Sequence, residues 1–198
     1  MPIRLNADAP HDAEFRATFR GWLARELPQE YRHWGERPPN EIIADWHKRL
    51  YRGGYVAPHW PPKWGGSEES FTRPLITTEE LALARAPEIS GQGLNHIGPL
   101  LMHFGTEAQK ERHLKKIAAG ETIWCQGYSE PNAGSDLTSL RTRATVDGDH
   151  LVVNGQKIWT TWAHNADWIF MLVRTDPEAK PQAGISFILA DMKTPGIR

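Results

Sequence analysis

The sequence predicts an α+β protein: an α-helical domain over residues 1–121, then an antiparallel β meander, barrel-like, over residues 122–198. Three observations carry this. Apolar residues recur at spacings of three and four through the first 120 positions, the period of an amphipathic helix. After Gly120 the period changes to alternation, as in a half-buried strand. The alternating runs are separated by Gly- and Asp-containing turn signals. Helices first and strands after is the α+β order, and no segment repeats at the period of a solenoid or propeller.

The elements follow in turn. "DAEFRATFRGWLARELP" places Phe15, Phe19, Trp22, Leu23 and Leu27 on one helical face, with Asp12 as N-cap. "NEIIADWHKRLYRGG" does the same with Ile43, Trp46 and Leu50, capped by Asn40 and stopped by Gly53 and Gly54. "APHWPPKWGG", residues 57–66, is too rich in Pro and Gly for a regular element and reads as a loop. "TTEELALARA" carries a Thr77–Glu80 capping pair, with the helix free to begin somewhat earlier. "GLNHIGPLLMHFG" reads as a buried helix despite Pro99. "TEAQKERHLKKIAAG" is the clearest helix. Thr106 and Gln109 fit a capping box, Leu114, Ile117 and Ala118 face inward, Lys115 and Lys116 suit the negative dipole end, and Gly120 ends it. Beyond it, "IWCQGY" is a strand, and "RTRATV" and "HLVVN" form a hairpin through Asp147-Gly148-Asp149. Asn154-Gly155, inside "LVVNGQKIW", is the strongest short hairpin signal in the chain. "WIFMLVRTD" and "GISFILADM" are two further buried strands, and a lone meander with one face to cover is expected to need more chain.

Composition narrows the class. With 39% hydrophobic and 24% charged residues the chain is globular, and a net charge of −1 gives no pull toward nucleic acid or anionic lipid. No apolar run is long enough to span a membrane, and the start lacks the features of a secretory or transit signal. A single cysteine, Cys125, suits a reducing compartment, so a cytoplasmic location is expected. Nine histidines form no metal-ligand spacing, which points to solvated or core histidines and to no metal. Cys125 reads as a buried thiol. Nine tryptophans are unusual, and some should line a pocket or join layers.

Two stretches could carry chemistry. "SEPNAGSD" turns with Pro131 and Gly134 and offers backbone N–H groups and the Ser129 and Ser135 hydroxyls, but it lacks both phosphate-loop and dinucleotide-fingerprint spacing. "KIWTTWAHNADW" sets an aromatic plane, Trp159, beside the hydroxyls of Thr160 and Thr161, which suits a flat ligand rich in heteroatoms. Pattern alone favours the plainer reading, a surface turn beside core tryptophans.

Three blocks in order, "FGTEAQKERHL", "SEPNAGSD" and "NGQKIWTT", resemble the acyl-CoA dehydrogenase family, from the end of its helical N-terminal domain into its β middle domain. Weaker agreement through "YVAPHWPPKWGG" and "TTEELALARA" extends the resemblance over most of residues 40–198. It implies an FAD-dependent oxidoreductase of lipid metabolism that dehydrogenates an acyl-CoA thioester between its α and β carbons. In that family a carboxylate takes the α proton while the β hydrogen leaves as hydride to flavin N5. By resemblance Gln126, Gly127, Tyr128 and Ser129 lie along the flavin, and Ser135 lies near the FAD pyrophosphate and the CoA-side chain of the substrate. Trp159 packs beside the isoalloxazine, with Thr160 next to it, and Thr161 sets its hydroxyl near N5. Preorganised donors in a dry pocket stabilise the negative charge of a reduced ring.

The family's catalytic base is a Glu of a C-terminal helical domain, which resemblance places outside these 198 residues, so no catalytic base is assigned here. The isolated chain is therefore expected to be inactive, to expose apolar surface and to hold flavin poorly. Glu130 and Asp136 read as structural. The resemblance further implies an electron-transfer flavoprotein as acceptor and a homo- or hetero-oligomer. Alternatives are a non-catalytic FAD- or CoA-binding subunit completed by a partner chain, and an oxidase or monooxygenase on the same scaffold. Three positions depart from the family's habit: Ser129 for Thr, Asn132 for Gly, which fits if its backbone is left-handed, and Trp162, which narrows or reshapes the site. Gln92, Asn95 and His96 either line the acyl pocket or are polar residues of a helix start.

Overall fold

The structure, a computed structural model, describes residues 9–32, 37–68 and 72–198. In chain order its principal elements are α1 (Pro10–Glu26), α2 (Asn40–Arg52), α3 (Thr72–Ala84), a π-helix (Gln92–Ile97), α4 (Gly98–Phe104), α5 (Glu107–Ala118), β1 (Trp124–Gly127), β2 (Arg143–Asp147), β3 (His150–Asn154), β4 (Trp168–Arg174) and β5 (Ile185–Asp191). They fall into two compact units, Met1–Ile89 with Thr106–Glu121, and Ser90–Gly105 with Thr122–Arg198. The apolar segment 90–105 thus belongs with the strands, its π-helix packed on β1. Among the described residues, no helix is long and apolar enough to cross a membrane.

The helical unit is built on aromatic residues. Phe19 and Trp46 are fully buried, Tyr55 packs on Phe19 at 4.3 Å between ring centroids, and Trp22 meets both Tyr55 and Trp46. The Pro/Gly-rich stretch is ordered around Trp60 and Trp64, both buried, with a single 3-10 turn at Pro62–Trp64. Gly66 is required there, because a Cβ would fall 2.0 Å from the Trp60 carbonyl oxygen. The capping box at Thr106 and Gln109 is formed, and Leu114, Ile117 and Ala118 are buried.

Three other expected caps are not. Neither α1 nor α2 has a side-chain cap: Ala9 and Pro39 hold those positions, and Pro10 begins α1. Asp12 lies inside the first turn, buried, and accepts a hydrogen bond from Thr72. Asn40 is the first helical residue and accepts from Arg37. Thr77 and Glu80 sit in the body of α3, where Glu80 is buried against α1 and accepts a two-pronged bond from Arg20 (2.7 and 2.7 Å) and one from Arg16 (2.9 Å). A capping signature and a buried carboxylate reaching for arginines look alike in one dimension.

In the second unit the expected meander is a mixed sheet. β4 pairs antiparallel with β5 along its whole length on one edge. Its other edge carries β1 in parallel (Trp124↔Trp168 to Gly127↔Met171) and then, at Arg174, the start of β2. β2 and β3 form the expected antiparallel hairpin, turned at Gly148 with φ +62°. β1 can run parallel to β4 because forty residues separate them, ample for a crossover. One face of the sheet buries Cys125, Ala144, Ile169, Met171 and Val173. The other carries aromatic pairs, Trp124 on Trp168 at 5.6 Å and Phe170 on Phe187 at 5.8 Å. Beyond Ala144 the apolar row of the hairpin, Val146, Leu151 and Val153, is exposed.

The second expected hairpin does not form. β3 ends at Asn154 and residues 155–160 are not a strand. A type I′ turn needs positive φ at both central residues, and neither Asn154 nor Gly155 has it. Gly155 serves close approach instead: a Cβ there would lie 2.3 Å from Thr142 Oγ1 and 2.6 Å from Thr142 Cα.

Cys125 is fully buried, and burial pushes its thiol up to about 11. Since the thiolate is the nucleophile, native protein at pH 8 should react with iodoacetamide roughly 100-fold more slowly than the unfolded chain. Mass spectrometry with and without urea reads this directly, and rapid modification of the native protein would contradict the burial.

Candidate functional site

The two stretches singled out from sequence run side by side. Ile158 N–H donates to the Ser129 carbonyl at 2.9 Å, and the Lys157 ammonium donates to the Tyr128 carbonyl at 3.1 Å. Upstream, β1 fixes Gln126 opposite Phe170 and Gly127 opposite Met171. Gly127 is dictated by packing, since a Cβ would come within 2.8 Å of the Ile169 side chain and 3.0 Å of Met171 Cβ. Tyr128 meets Phe170 edge-on, on the aromatic face of the sheet.

After Ser129 the chain turns tightly. Glu130 and Ala133 exchange both backbone hydrogen bonds. The Glu130 carboxylate is buried and accepts from Arg141 N–H at 2.6 Å, Thr142 N–H at 2.9 Å and Lys157 at 2.8 Å. Burial alone would raise its pKa, but Lys157 and these N–H donors outweigh it and hold the group at about 2. Asp136 accepts from the Thr138 hydroxyl and, through its carbonyl, from Ser139, so it shapes the turn into residues 137–139. Both acids are structural, as read. Asn132 is not left-handed, so the conformational argument for a residue tolerant of positive φ does not apply to it. Ser135 is exposed at the tip.

Across the seam, Trp159 has φ +52° and Trp162 φ +74°, a conformation that bulky residues adopt only when their surroundings impose it. Trp162 turns its ring onto the Cys125–Val173 core rather than into open space. Trp159 does the opposite: it is 81% exposed, and its ring is the nearest group to the Cβ position of Gly134, at 4.0 Å. Thr161 N–H closes a three-residue turn onto the Trp159 carbonyl, leaving Thr160 half-buried and Thr161 exposed beside the ring. A cleft of about 170 Å³ near Glu130, Arg141 and Gln156 is smaller than the ~300 Å³ of typical ligand pockets. The open surface at Trp159 is therefore the better candidate for a ligand.

The structure thus brings Tyr128 and Ser129 beside Lys157 and Ile158 and sets Trp159 near Gly134, with Thr160 and Thr161 next in the chain. Gln126 and Gly127 lie one strand-length upstream, and Ser135 lies at the outer tip of the turn. Sequence reasoning missed Lys157 and Glu130 as a pair. Their separation of 27 residues hides the contact, and only an ion pair across a buried seam explains two charged residues so little exposed. Gln92, Asn95 and His96 lie on the π-helix, a form enriched at functional sites. Asn95 and His96 are exposed, while Gln92 Oε1 is buried without a hydrogen-bond partner.

Residues 9–121 match the family model for the acyl-CoA dehydrogenase N-terminal domain and residues 125–198 that for its middle domain. The chain belongs to the acyl-CoA dehydrogenase family. It is 40% identical over 193 residues to acyl-CoA dehydrogenase IpdE1 of Mycobacterium tuberculosis, covering 93% of this chain and 50% of that protein. Among solved structures it is similar to the Tcur3481–Tcur3483 steroid ACAD, with TM-score 0.87 and 37% identity over 96% of this chain and 50% of that one. It is similar also to the ChsE4–ChsE5 complex of Mycobacterium tuberculosis, with TM-score 0.83 and 36% identity over 97% of this chain and 49% of that one. This acyl-CoA dehydrogenase chain spans about half the length of the relatives it matches.

Proposed function

We infer that this chain is the flavin-holding half of an FAD-dependent acyl-CoA dehydrogenase. The observation that carries the reading is the exposed Trp159 ring, set by a left-handed backbone beside the Gly134 turn and joined through Ile158 to Ser129. An exposed indole flanked by hydroxyls and a strand end fits a planar heterocycle, because the ring gives a stacking face and the edges give donors. When bound, FAD supplies the acceptor for the hydride that leaves the substrate's β carbon.

The chain's own residues then divide the work. Trp159 covers one part of the ring, with Thr160 and Thr161 next to it. Tyr128 and Ser129, continuing Gln126 and Gly127, would hold its edge, and Ser135 would serve the pyrophosphate and the CoA side of the thioester. The α proton needs a base whose pKa lies nearer the working pH. Glu130, held at about 2 with its oxygens occupied, is not that base. By the family resemblance the base would be a Glu of a C-terminal helical domain, and an electron-transfer flavoprotein would take the electrons onward.

A second reading, that a partner chain completes the site, is supported by the similarity to ChsE4–ChsE5, a complex of two chains. The similarity to a steroid ACAD supports including steroid CoA thioesters among the substrates tried. Titrating the chain with FAD is expected to quench tryptophan fluorescence and perturb the flavin absorption band. Trp159→Ala should weaken binding about fivefold, since stacking on an aromatic ring contributes ~1 kcal/mol. Absence of any FAD binding sinks the reading. Anaerobic addition of an acyl-CoA then separates the two forms: bleaching by this chain alone overturns the claim that the base lies elsewhere, and bleaching only after a partner chain is added supports the second.

A further inference from the structure

We propose that Lys157 and Glu130 are positioning residues, a buried ionic clamp that fixes the register of the Trp159–Thr161 segment against the Tyr128–Ser129 strand end. In relation to the cofactor this rests on the FAD reading; as a statement about the seam it does not. The Lys157 side chain is 9% exposed and that of Glu130 7%, and the two meet at 2.8 Å. From that contact bonds spread to two further stretches of backbone. Lys157 also reaches the Tyr128 carbonyl, and Glu130 takes the N–H groups of Arg141 and Thr142 at the entry to β2. One ion pair thus ties the end of β1, the start of β2 and the segment that carries Trp159.

A buried ion pair is weak evidence of stabilisation, because apolar residues of similar volume often do as well. What it supplies that apolar packing does not is a single allowed register, since a slip by one residue strands two charges out of water. The seam needs such a device. It lacks a ladder: past Gly127 the segment leaves strand geometry, and Ile158 N–H to Ser129 is the backbone bond that crosses it. It also carries strain, with Trp159 and Trp162 both left-handed. The downstream end is held by the Trp162 ring on the sheet core, and the upstream end by Lys157. Trp159, exposed between two anchored ends, keeps a fixed place without being packed itself.

The test reads amide exchange and FAD affinity together. In Lys157→Met, and in Lys157→Met/Glu130→Gln, which leaves no unpaired charge, the Ile158 N–H should exchange at least tenfold faster while the β4–β5 amides keep wild-type protection. FAD affinity should fall at least tenfold in both. If the single variant does not fold, the double variant decides. Unchanged Ile158 exchange overturns the proposal, as does an equal loss of protection at Ile158 and across β4–β5, which would make the pair a general stabiliser. Unchanged FAD affinity with faster Ile158 exchange overturns the positioning role. Faster Ile158 exchange in a protein whose wild type binds no FAD upholds the clamp and removes the cofactor reading instead.

Discussion

A methyl group at Gly155 is expected to be among the most damaging small changes in the sheet unit. Gly155→Ala should cost about 3 kcal/mol or more, at the upper end of overpacking effects, and abolish FAD binding. Its Cβ would sit 2.3 Å from Thr142 Oγ1, which a rotation can relieve, but also 2.6 Å from Thr142 Cα, which only a backbone shift can relieve. Thr142 cannot retreat freely, because its N–H is bonded to Glu130 and its carbonyl to Arg174 N–H at 2.7 Å. The strain is therefore passed either into β4 or into the Glu130–Lys157 contact. Equilibrium urea unfolding followed by tryptophan fluorescence measures the loss. Gly148→Ala is the control: its φ of +62° carries the usual backbone cost, but no atom lies within 4 Å of the added methyl, so it should destabilise by only about 1 kcal/mol. Equal losses in the two variants would show that close approach is not what Gly155 serves.

Gly155 also shows what one dimension conceals. Asn-Gly between alternating runs is a local signature, and local signatures were legible wherever the local backbone decides the outcome. The Thr106–Gln109 capping box formed as read, as did the Asp147-Gly148-Asp149 hairpin and the inward face of α5. The signal failed where a distant segment claimed the residue: Thr142 claimed Gly155, α1 claimed Glu80, and Thr72 claimed Asp12. Strand direction was hidden for the same reason. Nothing in "IWCQGY" says that its partner lies forty residues on and runs parallel. Of the candidate site, the hydroxyls and Trp159 were visible as residue types beside turns, whereas the Lys157–Glu130 pair and the opposite fates of Trp159 and Trp162 are products of the third dimension.

Acidification from pH 7 toward pH 4 is expected to destabilise the helical unit steeply, chiefly because of two histidines. His47 is 7% exposed, with Nε2 3.0 Å from the Ala118 carbonyl, and burial lowers its pKa to about 4 despite that bond. Gly120 packs closely on the ring, where a Cβ would fall 2.7 Å from His47 Cγ. His113 is 3% exposed, and burial, reinforced by the charges of Arg112 and Lys116, also lowers it to about 4. Both groups are neutral in the fold and titrate near 6.5 once unfolded, so between those values the unfolded chain binds the extra protons and stability rises with pH. Their contribution is complete above about pH 6.5 and is lost as pH falls toward 4, after which they add no further loss. Holding a ring neutral down to about pH 4 corresponds to ~3 kcal/mol per histidine, and two of them approach the whole stability of a small domain. The contribution of Glu80, whose pKa its arginine partners lower, begins to be lost only as pH falls below about 4.5, near the end of the histidine window. Urea midpoints from far-ultraviolet circular dichroism at pH 7, 6, 5 and 4 should therefore fall steeply across this window. His47→Gln/His113→Gln, which cannot take up a proton, should flatten the curve. A wild-type midpoint that holds constant from pH 7 to 4.5, or a double variant with the wild-type slope, would show that these rings do not govern the acid limit.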